Sequence, residues 1–542
     1  MTVHPARRRL ILGAAGLAAA GLGARYWPQS TPDSALSSAL SSIPGDLLGA
    51  DAALGHRLRA GRFPAPSKTL ETDVLIVGGG ISGLAAGLRL HDAGRDFLLA
   101  EMEDAIGGNS RAGINAISAY PWGAHYVPLP SEESTEVRRL FERLGVIQGY
   151  DPAGLPIYDD YALCADPDER LLMYGQWQEG LLPQLGVSAA ERAEYRRFFA
   201  QIAEFKARRG KDGRRAFCIP IDASSSDPEL RALDRISFRA WLSQQGYGGE
   251  HLLWLLDYSC RDDYGAGLDA VSAWAGIHYF AARNGQAANA KSDTVLTWPE
   301  GNGWLVERMR APIAKHIHTR ALAVRVRDGA RPVTDVYLPD ADKVLRVHSR
   351  AVILAVPRFV AARIVQSTRF RLDATAFHYS PWLVANLTLD RLPAGPGADL
   401  AWDNVAYGGD MLGYVVATHQ HLDMNPHQTV ITAYWPLDRL PPAQARAEAL
   451  ARNAESWKAL VAAEILRMQP DLAGAIRRID LRLWGHAMIR PRPGFIWGAA
   501  RREALKQHPP LYFAHSDMAG VSIFEEAYTY GVRAAEAVLG DG

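Results

Sequence analysis

Cysteine is scarce in this chain. Cys164, Cys218 and Cys260 are the only three in 542 residues, far apart and with no pair at metal-ligand spacing. That excludes a zinc ribbon, an iron–sulfur cluster and a disulfide scaffold, and allows one disulfide at most. Net charge is missing too: Lys+Arg and Asp+Glu both number 59, so the formal charge is zero. A bulk nucleic-acid binder or a polybasic membrane protein would need an excess of positive charge. Past residue 24 no stretch approaches ~18 uninterrupted apolar residues, so no membrane span is expected in the mature chain. No G-x-S-x-G elbow follows a strand, which removes Ser-His-Asp hydrolase chemistry. What is present is a globular mix, 48% hydrophobic and 22% charged, with apolar surface for large cores and no case for general disorder. The length suits two to four units of ~100–200 residues.

Residues 6–24 read ARRRLILGAAGLAAAGLGA. Three arginines precede about fifteen apolar or small residues, the length of a signal-peptide core rather than a membrane span. Arg7-Arg8, one further residue, then Leu10-Ile11 resemble the twin-arginine export signal, with Ala6 where Ser or Thr is usual. An uncleaved interfacial anchor is the alternative. The resemblance implies a periplasmic or otherwise exported protein that crosses the membrane folded, with its cofactor seated. Residues 25–70, rich in Ser, Pro, Ala and Gly, read as a tether.

From residue 71 the sequence runs ETDVLIVGGGISGLAAGLRLHDAGRDFLLAE. Val74 to Val77 is a short apolar run, as expected of a parallel strand covered on both faces. Gly78, Gly80 and Gly83 follow at G-x-G-x-x-G spacing. These allow a tight turn, backbone approach to a pyrophosphate, and close packing of the next helix. That helix begins at Ile81-Ser82, and its free N–H groups favour a diphosphate. A second apolar strand, Phe97 to Ala100, ends at Glu101-Met102. Glu101 is placed for the acid that binds ribose hydroxyls, and it would repel a 2′-phosphate.

Two further segments decide the cofactor. Gly107-Gly108-Asn109-Ser110-Arg111 leads to Gly123-Ala124-His125-Tyr126, and Leu511 to Asp517 precedes a helical pattern from Glu525 to Leu539. With the first block these resemble the flavin-containing amine oxidase and phytoene-desaturase-like superfamily. The resemblance implies an α/β fold: a glutathione-reductase-type FAD-binding Rossmann domain with a discontinuous α+β substrate domain. Asp517 matches the acid that contacts the ribityl or diphosphate region. The N–H of Phe524 matches the group directed at the flavin pyrimidine, and Ala323 the adenine contact. Asn109 stands where the family has Arg, so a phosphate contact is expected to pass to Ser110 or Arg111. Glu526-Ala527 replaces the family's Gly-Ala pair, and Glu525 and Glu526 read as helix caps. No cysteine falls in the C-terminal block, so FAD is expected to be non-covalent. A second dinucleotide fingerprint is lacking, so electrons are expected to come from a small organic substrate and leave to oxygen or a quinone-like acceptor.

The expected division is a signal at 1–24, a tether at 25–70, FAD-binding segments at 71–130, 291–370 and 506–542, and substrate-domain segments at 131–290 and 371–505. Helical spacing marks 131–145, with Ser131 as N-cap, and also 190–208 and 444–468. The family's flavin-edge lysine is missing from the strand-like 383–389, where Ala385 aligns nearest. Candidate catalytic groups are His125 and His486, as bases that titrate near neutrality. A structural role for each ring is the alternative. Arg261-Asp262-Asp263 reads as an internal ion-pair network or as a lining of the substrate entrance. No metal site is expected.

Overall fold

The computed structural model describes residues 40–422 and 427–541. The Arg7-Arg8 signal lies outside them. Val74 to Val77 and Phe97 to Ala100 pair in parallel, in register Val74↔Phe97 to Val77↔Ala100. Lys343–Leu354 and then Leu511–Phe513 extend this parallel layer. An antiparallel ribbon, Leu322–Arg327 and Val333–Leu338, completes the sheet. Its central strands are apolar on both sides because helices Ile81–Asp92 and Phe524–Gly540 cover one face while the helical core covers the other.

The first turn is built around glycine. Gly78 has φ +105°, and a Cβ there would lie 2.4 Å from the Ala355 carbonyl oxygen. A Cβ on Gly83 would lie 1.9 Å from the Gly78 carbonyl oxygen, so the helix seats directly on the turn.

A second mixed sheet runs in the order Leu47–Gly49, Ile476–Ile489, Tyr379–Leu389, Thr429–Pro436, Gly413–Val416, Asp403–Ala406, Glu169–Met173, Gln176–Glu179. One face packs on helices Pro442–Ala451 and Ala454–Met468 through Trp457, Ile465 and Leu481. The other face turns Trp382, Val384, Tyr434 and Trp484 toward the dinucleotide-binding half. Helices Ala189–Ala207, Phe238–Gln244, Glu250–Tyr264 and Ala273–Ala281 form the third layer around Phe198, Trp241 and Trp274.

Several local expectations change. Residues 40–70 are folded onto the molecule: Leu47–Gly49 pairs with Leu481 to Leu483, and Ala52–Ala60 is a helix capped by Asp51. Helix Thr135–Arg143 starts after Ser134, not Ser131, and both hydroxyls donate to the Ile219 carbonyl instead. The 444–468 pattern is two helices: the backbone turns extended at Arg452, and Asn453 caps the second helix through the Ser456 amide. The three cysteines are buried and unpaired. Among the described residues no helix is long and apolar enough to cross a membrane.

Candidate active site

A cleft of about 940 Å³ opens along the carboxyl ends of the parallel strands, where ligands of open α/β sheets bind. Its floor is the first turn, Gly78, Gly80, Ile81 and Ser82. A Cβ on Gly80 would meet no protein atom within 4 Å, so this glycine keeps the cleft itself clear. One wall carries Glu101 and Met102, and Ala323 lies on the edge strand. Gly107, Gly108, Asn109 and Ser110 form the next stretch, and Ala124, Asp517 and Phe524 close the far end.

Glu101 accepts from the amides of Gly79 at 2.6 Å and Glu103 at 2.8 Å, yet desolvation still raises its pKa. Asp517 is buried. Burial pushes its carboxyl up, but the His515 ring, the Tyr379 hydroxyl and the Arg358 amide together hold it below the usual carboxylate range. Its Oδ1 has no hydrogen-bond donor. The His515 Nδ1 that lies 3.1 Å away accepts from the Asp517 amide when the ring is neutral and lowers the carboxyl only in its protonated form. A buried carboxylate oxygen without a donor costs free energy unless a ligand supplies one. The open Gly80, the free helix N-terminus and this oxygen fit the diphosphate and hydroxyls of FAD.

Three expected contacts lie elsewhere. Gly83 is under the turn and does not reach the cleft. Arg111 is turned away to Asp104 at 2.7 Å and Glu103 at 3.4 Å, because these acids neutralise it locally; Ser110 keeps its place in the cleft. Gly123 lines a second, smaller cavity.

That cavity, of about 140 Å³, joins the cleft at Asn109, Ala124, Trp484 and Ser522 to Phe524. Its aromatic side holds Trp382, Trp484 and the stacked pair His125 and Tyr434, whose rings lie 4.3 Å apart. The Tyr434 hydroxyl donates to the Gly123 carbonyl at 3.1 Å, and Trp484 Nε1 donates to the Trp122 carbonyl at 2.6 Å. Its polar side holds Asp262, Asp263 and Glu525, with Arg283 as the one guanidinium of the wall among the described residues. The Arg261-Asp262-Asp263 run carries the ion pairs of the first alternative, and two of its residues also line this cavity. Arg261 pairs with Asp438 at 3.1 Å and Asp263 with Arg283 at 2.6 Å, while Asp262 faces the cavity and accepts from the Tyr126 hydroxyl at 3.3 Å. Desolvation, and next the Asp263 charge, push Asp262 up to about 7. Desolvation and the neighbouring Asp168 raise Glu169 to about 7 as well.

The two histidines are not together. His125 lines the small cavity; His486 lines the cleft, stacked on Phe359 at 4.5 Å. Desolvation pulls both rings down to about 4, helped at His486 by the charge of Arg446. Both are neutral near pH 7. On strand Tyr379–Leu389 it is Val384 that faces the cavity, while Ala385 points into the opposite core. Neither residue is a lysine, and Trp382 lines the cavity on the same strand face as Val384. Glu525 and Glu526 both stand in the first turn of helix Phe524–Gly540, as expected of acids that favour a helix N-terminus, and the Glu525 carboxyl accepts from its own amide. Glu526 accepts from the Ile221 amide at 2.5 Å, and Glu525 faces the cavity. Tyr434, Arg283 and the lining at Leu47, Leu48 and Arg59 carry no motif, and only the fold brings them here.

Residues 76–144 match the family described as an NAD(P)-binding Rossmann-like domain. The FAD-dependent oxidoreductase pigF of Monascus ruber is 31% identical over 97 residues, which are 17% of this chain and 20% of that relative. The chain thus matches about a fifth of that protein's length. The solved structure of wild-type putrescine oxidase bound to putrescine superposes with a TM-score of 0.61 at 18% identity, over 87% of this chain and 100% of that one. Cyclohexylamine oxidase from Brevibacterium oxydans IH-35A gives a TM-score of 0.61 at 17% identity, over 87% and 99%. The chain has the amine-oxidase fold. Within the amine-oxidase fold the large cleft belongs to the Rossmann-like half, and the small cavity lies where the second sheet meets it.

Proposed function

We propose that the chain is an FAD-dependent oxidoreductase that removes a hydride equivalent from a C–N bond of a small amine. The observation that carries this reading is the small cavity itself. It adjoins the dinucleotide cleft through shared lining residues, and three carboxyls, Asp262, Asp263 and Glu525, stand with one guanidinium, Arg283, on its wall. Such a wall favours a cation. It disfavours the second reading, a desaturase acting on a C–C bond of an apolar substrate, since an apolar ligand would offer nothing to the Glu525 carboxyl, which no other residue among those described bonds.

Bound FAD supplies the two-electron acceptor. Glu101, Asp517 and the helix N-terminus at Ile81 hold its polar groups. Cys260 sits in the helical core and lines neither cavity, which supports non-covalent binding. Trp382, Trp484, Tyr434 and His125 exclude water and orient the substrate's carbon skeleton. The N-terminal end of helix Phe524–Gly540 gives its wall a positive partial charge, useful where negative charge develops. Oxygen or a quinone-like compound then takes the electrons away. The Arg7-Arg8 segment supports export of the loaded, folded protein to the periplasm.

Flavin reduction by an added amine under anaerobic conditions tests the reading, and it separates an enzyme from a flavin-binding partner protein without turnover. Reduction by a polyene and not by amines would favour the desaturase.

A further inference from the structure

We propose that Glu525 is the proton acceptor of this site, taking the proton of a substrate ammonium held in the small cavity. The inference rests on the amine reading above. Glu525 is 2% exposed and lines the cavity of about 140 Å³. Among the described residues no other residue donates a hydrogen bond to its carboxyl, although a buried acceptor normally finds one. It also follows directly on Ser522, Ile523 and Phe524, the residues shared by the cavity and the cofactor cleft. The carboxyl, which accepts from its own amide and from no other residue among those described, therefore stands one residue from those shared by the cavity and the cleft.

The other groups around the cavity are committed or unsuited. His278 places a ring nitrogen 2.8 Å from the Cys218 carbonyl, and Asp263 is held by Arg283. Asp262 accepts from Tyr126. His125 is pulled down to about 4 by desolvation and is a weak base near neutrality. Trp382 and Val384, which line the cavity from their strand, are not bases. Glu526, next on the same helix, is turned to the Ile221 amide. Burial raises Glu525 to about 7, its own amide and Arg283 opposing the rise and Asp263 adding to it. A base of that strength is matched to work near neutral pH.

The step balances without an oxidant. One N–H bond of the ammonium breaks and one O–H bond forms on Glu525; the carboxylate becomes a carboxylic acid and the ammonium a neutral amine. The nitrogen lone pair freed in this way is what loss of hydride from the adjacent carbon requires.

The test uses the FAD-loaded enzyme with putrescine and cyclohexylamine as probes. E525Q is expected to hold FAD like the parent and to be reduced about a hundredfold more slowly. E525A is expected to recover part of the rate when formate is added. In infrared titrations, the parent-minus-E525Q spectrum is expected to show a protonated-carboxyl component that titrates near pH 7, the Asp262 and Glu169 components being common to both proteins, a signal independent of turnover. A parent that neither probe reduces overturns the amine reading and this role with it. A parent that is reduced, with E525Q matching its rate or with no such component in the difference spectrum, overturns the role of Glu525 alone. Loss confined to D262N does the same and moves the role to Asp262.

Discussion

Tyr379 donates its hydroxyl to Asp517 Oδ2 at 2.5 Å, and the Arg358 amide donates to the same oxygen at 2.8 Å, so the other carboxylate oxygen is left for a ligand. One side of the carboxylate is thus fixed by the substrate-domain sheet, and the other side faces the cofactor cleft.

Asp517→Ala should weaken FAD binding by about one to two powers of ten, from loss of a charge-assisted bond worth roughly 1.5–3 kcal/mol. Tyr379→Phe should weaken it less, since the Arg358 amide still orients the carboxylate. Fluorescence titration of apoprotein with FAD measures both, and equal affinities in all three proteins would place the cofactor elsewhere.

Glu101→Ala is expected to cost at least tenfold in FAD affinity, on the same energetic scale. The variant also frees the Gly79 and Glu103 amides that the carboxylate now ties down. An unchanged dissociation constant would mean that the ribose acid is a different residue.

His486→Ala should act on FAD binding and leave reduction of the saturated enzyme close to the parent rate, because His486 lines the cleft and not the substrate cavity. His125→Ala should instead raise the substrate concentration needed for half-maximal reduction, since the ring stacks on Tyr434 in the cavity wall. Rapid-mixing measurements over a range of amine concentration separate the two. A fall of about a hundredfold in the limiting rate of either variant would restore a histidine base.

Glu526 gives a prediction about stability. It is fully buried, with one carboxylate oxygen lacking a donor, and burial raises it from 4.5 to about 8. Its contribution to stability is full below the unfolded value and is lost as pH rises through about 8. Glu526→Gln should therefore gain on the parent as the pH climbs through this window, by at most about 1.4 kcal/mol for each pH step of one. Denaturant unfolding at pH 6 and pH 9 checks this. A gap between the two proteins that does not change with pH would contradict it.

Export is tested separately. Replacing Arg7 and Arg8 with Lys should leave FAD-loaded protein in the cytoplasm, as cell fractionation would show. Normal export of that variant would favour the general secretion route.

The dinucleotide half was legible because its physics is local. Val74 to Gly83 encodes strand, turn and helix in ten consecutive residues, and Glu101 falls at a spacing set by that fingerprint. The substrate cavity was not legible in the same way. Its wall comes from Gly123 to Tyr126, Asp262, Arg283, Tyr434, Trp484 and Glu525, which only long-range sheet pairing brings together. Alternation on a buried strand is also invisible when both faces are apolar, as at Val384, which faces the cavity, and Ala385, which faces the opposite core. Arg111 missed the cleft for a simpler reason. Whether a charged side chain meets a ligand or a neighbour depends on partners that no local pattern reveals, here Asp104 and Glu103.

The most direct test that the cleft holds FAD, and that the adjoining cavity presents an amine to it, is a visible spectrum. It is recorded on the purified, oxygen-free protein before and after addition of putrescine or cyclohexylamine. The predicted result is an oxidised flavin spectrum that bleaches on addition of amine, with the flavin released to the supernatant on acid precipitation. A protein that carries no flavin and takes up none from added FAD, or whose flavin spectrum is unaltered by either amine, would contradict it.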